Sequence, residues 1–259
     1  MSTMTAAQCF ITRDQTPPAA EPVRAAAGRP AGRHYTGRMV LRPQVVAFDV
    51  NETVFSLDAV GAALDAQGAP DGTLQRWFTQ VLSDGFAFTC AGDFVEFRSL
   101  AQRTLARMLD DDDAATRVLE AFSELDAHPD VRPALERLAD ADVRVVTLTN
   151  GHADTTRHLL ERADLQGLVA ACHDVGEVGR WKPTAAPYEH CARRNGVEVG
   201  RLALVAVHSW DIHGARRAGL VTGYAARHEG AAVPGFEPAH VAGDDLPEVV
   251  EGLLALPAR

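Results

Sequence analysis

Apolar positions along the chain fall into two rhythms, short continuous runs and helical spacing, and their alternation predicts strands separated by helices. The first run, Val45-Val46-Ala47-Phe48-Asp49-Val50, lies between Pro43 and the polar Asn51-Glu52-Thr53, the pattern of a strand buried on both faces. Val143-Arg144-Val145-Val146-Thr147-Leu148 and Leu202-Ala203-Leu204-Val205-Ala206-Val207 repeat it, as does the weaker Leu220-Val221-Thr222-Gly223-Tyr224. Each follows a segment of helical period. Strands alternating with helices imply a parallel sheet.

Between the first two strands, residues 58–127 show apolar side chains only at helical spacing: Trp77 and Val81; Phe94, Phe97, Leu100, Leu105 and Met108; Val118, Phe122 and Leu125. A crossover needs a single helix, so a segment this long predicts a helical lobe folded over the strand ends. The acidic run Asp110 to Asp113 reads as a solvated helix boundary. The expected architecture is α/β: a Rossmann-like doubly wound parallel sheet core with a small α-helical cap domain inserted after the first strand. The core comprises 41–57 and 128–259, and the cap 58–127. Residues 1–40 contain Pro17, Pro18, Pro22 and Pro30 and little to bury, which predicts a disordered, mildly basic tail.

The 259 residues are 46% hydrophobic and 23% charged, enough for a sizeable core. A formal charge of −10 repels phosphate backbones, so nucleic acid is not an expected partner. Cys9, Cys90, Cys172 and Cys191 form no CxxC pair, which argues against a disulfide framework or a zinc site and fits a reducing cytoplasm. No apolar run approaches the roughly 18 residues of a membrane span, and no secretory signal is expected at the start.

In open parallel sheets, ligands bind beyond the carboxyl ends of the strands. The polar clusters Asp49 to Thr53, Thr149-Asn150-Gly151, Lys182-Pro183 and His208-Ser209-Trp210-Asp211 are expected to converge there. Asp49, closing an apolar strand, suits a nucleophile if a cation and amide donors keep it ionised. Lys182 would provide the charge, Thr53 and Thr149 hydroxyl donors, and the Asn51 to Thr53 turn an amide nest.

Strand-Asp-x-x-x-Thr, strand-Thr-Asn, Lys-Pro and a final Asp, in this order, resemble the haloacid dehalogenase superfamily over about residues 43–230. Lys182-Pro183 with Tyr188, and Trp210-Asp211 with Gly214-Ala215, are most similar to its type II (S)-2-haloacid dehalogenases. The resemblance implies that Asp49 displaces halide from a small 2-halocarboxylic acid and forms an ester that water hydrolyses, with no cofactor or metal. It implies a catalytic set of Asp49, Thr53, Lys182 and Asp211. Thr53 would orient Asp49, Lys182 would offset negative charge, and Asp211 would position Lys182 or the water. Thr149, Asn150 and Tyr188 would serve the substrate carboxylate, with Asn51, His208 and Trp77 also facing the substrate.

Three departures keep alternatives open. Asn51 stands where the superfamily's phosphatases carry a second acid, and an amide cannot protonate a leaving group; Mg²⁺ enters only on that alternative. Phe78 follows Trp77 where the type II pattern has a halide-binding Arg, with Arg76 on the other side. Ala206 and His208 replace a Ser and an Asn that position water, leaving His208 as a base, a halide donor or a structural residue. A non-catalytic small-anion-binding member is the third reading. Trp77, Phe86, Phe88 and Phe94 are expected as pocket wall or core packing, and the aromatic cap helix as a possible homodimer contact.

Overall fold

The computed structural model describes residues 39–258; the expected tail, apart from Met39 and Val40, lies outside the described residues. Strand β1 (Val45–Phe48) has every residue buried and runs parallel between β2 (Arg144–Thr149) and β4 (Leu202–Ala206). With β3 (Ala171–Asp174), β5 (Val221–Ala225) and β6 (Val241–Gly243), it forms a parallel sheet of order β3-β2-β1-β4-β5-β6. The order reverses at β1 and β4, whose carboxyl ends therefore open the crevice where such sheets bind ligands.

Four helices make up the insertion after β1: α1 (Asp58–Ala66), α2 (Thr73–Ala91), α3 (Phe97–Leu109) and α4 (Asp112–Glu120). The rest alternate with strands: α5 (Val131–Asp140), α6 (Ala153–Arg162), α7 (Ala185–Arg194), α8 (Ser209–Ala218) and α9 (Leu246–Leu254). Alternate β1 side chains serve opposite faces. Val46 and Phe48 join the core of α5 and α9 through Leu135, Leu138 and Val249, whereas Val45 and Ala47 pack with Tyr188 and Cys191 of α7 and Ile212 of α8. Burial on both faces is why the strand reads as an unbroken apolar run.

Strands β3 and β6 have no counterpart in the apolar runs. Both are sheet edges; β3 buries only His173, and β6 is three residues long with none buried, so neither needs a continuous apolar sequence. In the helical insertion, Trp77, Val81, Leu100, Leu105 and Val118 are buried as their spacing predicts, but Met108 is exposed. The acidic run is a helix boundary. Asp110 ends α3 in the left-handed conformation, and the Asp111 carboxylate accepts the Ala114 N–H at the start of α4.

Trp181 fastens the insertion to the sheet. Its indole N–H donates to the Val95 carbonyl at 2.9 Å, and its backbone N–H to Thr89 Oγ1 at 3.2 Å. Helix α2 approaches it through Gly85, where a Cβ would sit 2.5 Å from the indole. Lys182 is thereby anchored by its neighbour. Among the described residues, no helix is long and apolar enough to cross a membrane, and Cys90, Cys172 and Cys191 are free thiols.

Candidate active site

Asp49 follows β1, is 5% exposed, and its carboxylate is saturated from the sheet side. Lys182 Nζ donates to Oδ1 at 2.8 Å, and Thr53 Oγ1 donates to Oδ2 at 2.9 Å. Burial opposes ionisation, but the Lys182 charge and the nearby His208 outweigh it and hold the Asp49 carboxyl well below the usual range. Asp49 is therefore an anion in a desolvated place.

Lys182 is fully buried and all three of its ammonium protons are engaged: with Asp49, with the Leu148 carbonyl at 2.9 Å and with Asp211 Oδ2 at 2.6 Å. Burial alone would lower its pKa; the carboxylates of Asp211 and Asp49 raise it instead. Asp211, buried in the first turn of α8, is pushed up chiefly by desolvation, with the Lys182 charge opposing. One lysine thus serves two acids, and Asp211 holds Lys182 rather than reaching the cavity described below.

Thr53 also accepts the Val207 N–H at 3.2 Å, locking the turn after β1 to the end of β4. Asn150 Oδ1 accepts the Lys182 N–H at 2.9 Å, so its amide braces the Lys182-Pro183 turn, where the peptide bond is cis. Thr149 Oγ1 accepts the Gly151 N–H at 2.8 Å.

A cavity of about 400 Å³ opens beside this cluster. Asn51, Thr149 and Asn150 wall it from the sheet side, and Phe94, Phe97 and Phe122 from the insertion. Asp49, Lys182 and His208 are not part of its lining. Arg98 borders it from α3.

Several expected contacts fall elsewhere. Trp77 is fully buried within the insertion, its indole N–H bonded to the Ala101 carbonyl at 3.0 Å and its ring against Phe122; it is not part of the cavity lining. Tyr188 is also fully buried and donates to Asp211 Oδ1 at 2.5 Å, so it acts through Asp211 rather than on a ligand. Arg76 is exposed, donates to Thr73 Oγ1 at 3.1 Å and is not part of the cavity lining. The amide nest is incomplete, because the Glu52 N–H already donates to the Phe55 carbonyl at 2.7 Å.

His208, by contrast, stands in the site. Its Nδ1 lies 3.5 Å from Asp49 Oδ2 and its Nε2 3.0 Å from Glu52 Oε2. The ring stacks on Trp210 with centroids 5.5 Å apart, and Phe78 packs 6.3 Å away. Burial disfavours its charge, but the two carboxylates prevail and raise its pKa to about 9. Glu52 and Arg227 escape the sequence reading: the Arg227 guanidinium, paired with Asp130, donates to the carbonyls of Glu52 and Thr53. The pairing of Phe48 with Val205 across β1 and β4 is the signal that brings positions 52 and 208 together. His228 Nε2 lies 3.5 Å from Glu52 Oε2; Glu52, His208 and His228 converge within 4.8 Å, and Glu52 pairs with both rings directly.

Residues 43–219 match the family model described as haloacid dehalogenase-like hydrolase. The match spans more than half of the chain, and the chain belongs to that family. It is 26% identical to (S)-2-haloacid dehalogenase 4A of Burkholderia cepacia, over 67% of this chain and 76% of that one. It is 27% identical to (S)-2-haloacid dehalogenase 1 of Pseudomonas sp. (strain CBS-3), over 67% and 77%. The fold is similar to that of L-2-haloacid dehalogenase from Xanthobacter autotrophicus, with a TM-score of 0.74 at 20% identity over 83% of this chain and 99% of that one. A second structure of that enzyme, with chloropropionic acid covalently bound, has a TM-score of 0.72.

Proposed function

We propose that this chain hydrolyses a small 2-halocarboxylic acid through an ester on Asp49. The observation that carries the reading is the buried Asp49 carboxylate, kept ionised by Lys182 at 2.8 Å and oriented by Thr53 at 2.9 Å. A desolvated, fixed carboxylate is a competent nucleophile toward an electrophilic carbon. One oxygen attacks the α-carbon, the carbon–halogen bond breaks with its electron pair on the halide, and water later adds to the Asp49 carbonyl carbon. The relatives' names and the covalent chloropropionic acid complex support the same chemistry.

Thr149 and Asn51, at the cavity's edge, would receive the substrate carboxylate, and Arg98 would attract the anion. Asp49 is 5% exposed, so the insertion helices act as a cap that shifts to admit substrate and then excludes water. A small anion as ligand, no cofactor and a reducing cytoplasm complete the reading.

The phosphatase alternative fits less well. Asn51 offers no proton for a leaving alkoxide, and both oxygens of the Asp211 carboxylate are already taken, by Lys182 and by Tyr188, which leaves few free carboxylate ligands for a divalent cation. Chloride release from racemic 2-chloropropionate in EDTA, with Asp49→Asn as the blank, tests the proposal. Magnesium-dependent phosphate release would favour the phosphatase, and binding of the acid without turnover the non-catalytic member.

A further inference from the structure

The turn after β1 holds a glutamate where glycine is favoured. Glu52 has φ of 63°, a left-handed conformation that L residues avoid, and Arg227 braces it through the carbonyls of Glu52 and Thr53. The outcome is a carboxylate fixed on His208 Nε2 at 3.0 Å. Trp210 and Phe78 confine the ring. The other nitrogen, Nδ1, is buried, has no hydrogen-bond partner among the described residues and lies 3.5 Å from Asp49 Oδ2. An imidazole fixed through one nitrogen, with the other open beside the reacting carboxyl, has the geometry of a general base.

We propose that His208, oriented by Glu52, is the base that takes a proton from the hydrolytic water in the second half-reaction. The inference rests on the Asp49 ester reading. Glu52 is a positioning residue; His208 touches the reacting water.

The charges around His208 make one residue suit both halves of the cycle. Facing it are the carboxylates of Asp49 and Glu52 and the ring of His228, with Lys182 beyond Asp49; Phe78 and Trp210 add no charge. With Asp49 ionised, His208 is an imidazolium, its pKa up at about 9. Esterification removes the Asp49 charge, leaving Glu52 alone against burial, and the imidazolium gives its proton to solvent as the net acid of the reaction. Water then adds its oxygen to the Asp49 carbonyl carbon and its proton to Nδ1. When the tetrahedral adduct collapses, the ester C–O bond breaks and the leaving alkoxide takes that proton. Asp49 is left as a carboxylic acid and protonates His208, which restores the starting pair.

The full chain, mixed with excess 2-chloropropionate in EDTA and quenched over time, is read for chloride and for intact mass. Wild type should release chloride continuously without a lasting adduct. His208→Ala should release about one chloride per chain and then slow, with turnover reduced about 10²–10⁴-fold and an adduct on the peptide carrying Asp49. Glu52→Gln, the second variant should His208→Ala not fold, should keep the burst and move the acid limb of turnover to lower pH, because a neutral amide no longer raises His208. Turnover by His208→Ala without accumulated ester would overturn the assignment, as would burst and turnover falling together with the pH profile of Glu52→Gln unmoved. Wild type that releases no chloride and forms no adduct contradicts the ester reading itself, and this inference falls with it.

Discussion

Lys182 Nζ donates to Asp49 Oδ1 across 2.8 Å, although the two residues are 133 positions apart in the chain. Neither group reaches bulk water to any extent, so the contact both fixes the Asp49 carboxylate and balances its charge. Because Asp211 and the Leu148 carbonyl take the other two ammonium protons, the lysine's position is determined by three elements at once.

Removing that cation should therefore be felt in stability as well as in rate. Lys182→Met leaves the Asp49 and Asp211 carboxylates buried without their shared partner, a loss expected at about 3–5 kcal/mol. Urea denaturation of the variant at neutral pH should show a markedly lower midpoint. An unchanged midpoint would mean that water reaches the cluster and that Asp49 is not the desolvated anion described.

Packing between the insertion and Trp181 leaves no room at Gly85, where a Cβ would meet the indole at 2.5 Å. Gly85→Ala should cost about 1–3 kcal/mol through overpacking, despite the better helix propensity of alanine. Thermal unfolding is the check, and a variant as stable as the parent would show that α2 does not bear on Trp181 in solution.

His208 links stability to pH with a definite sign. Its folded pKa, about 9, lies above its ordinary value of 6.5. The stabilisation from its ion pairs is thus fully present below 6.5 and lost as pH rises through about 9. Comparing wild type with His208→Gln, the stability gap should be widest in mild acid and should close above that range. A gap that is constant with pH, or that grows in alkali, would show that the ring is neutral in the folded protein.

Much of this architecture is legible in the amino-acid sequence. Strands β1, β2, β4 and β5 announce themselves because burial on both faces demands apolar runs; β3 and β6, as edges, carry no such demand. Asp49, Thr53, Lys182 and Asp211 are legible because each lies just beyond a strand or turn at the same edge of the sheet. What stays hidden depends on three-dimensional register. Nothing in the local sequence says that Glu52 reaches His208, that Arg227 braces the turn between them, or that Trp77 faces inward while Phe78 faces the histidine. Tyr188 illustrates the same limit, since its spacing fits a substrate contact but its hydroxyl ends on Asp211.

The central claim is that Asp49 supplies the oxygen that replaces the halide. A single turnover of 2-chloropropionate with enzyme in excess, run in heavy-oxygen water, tests it most directly. The account predicts that the first lactate formed carries ordinary oxygen at the new hydroxyl while the peptide containing Asp49 gains the label, and that Asp49→Asn, though folded, releases no chloride. Label appearing in the product at the first turnover, with none on Asp49, would show that water attacks the substrate directly and would contradict the account.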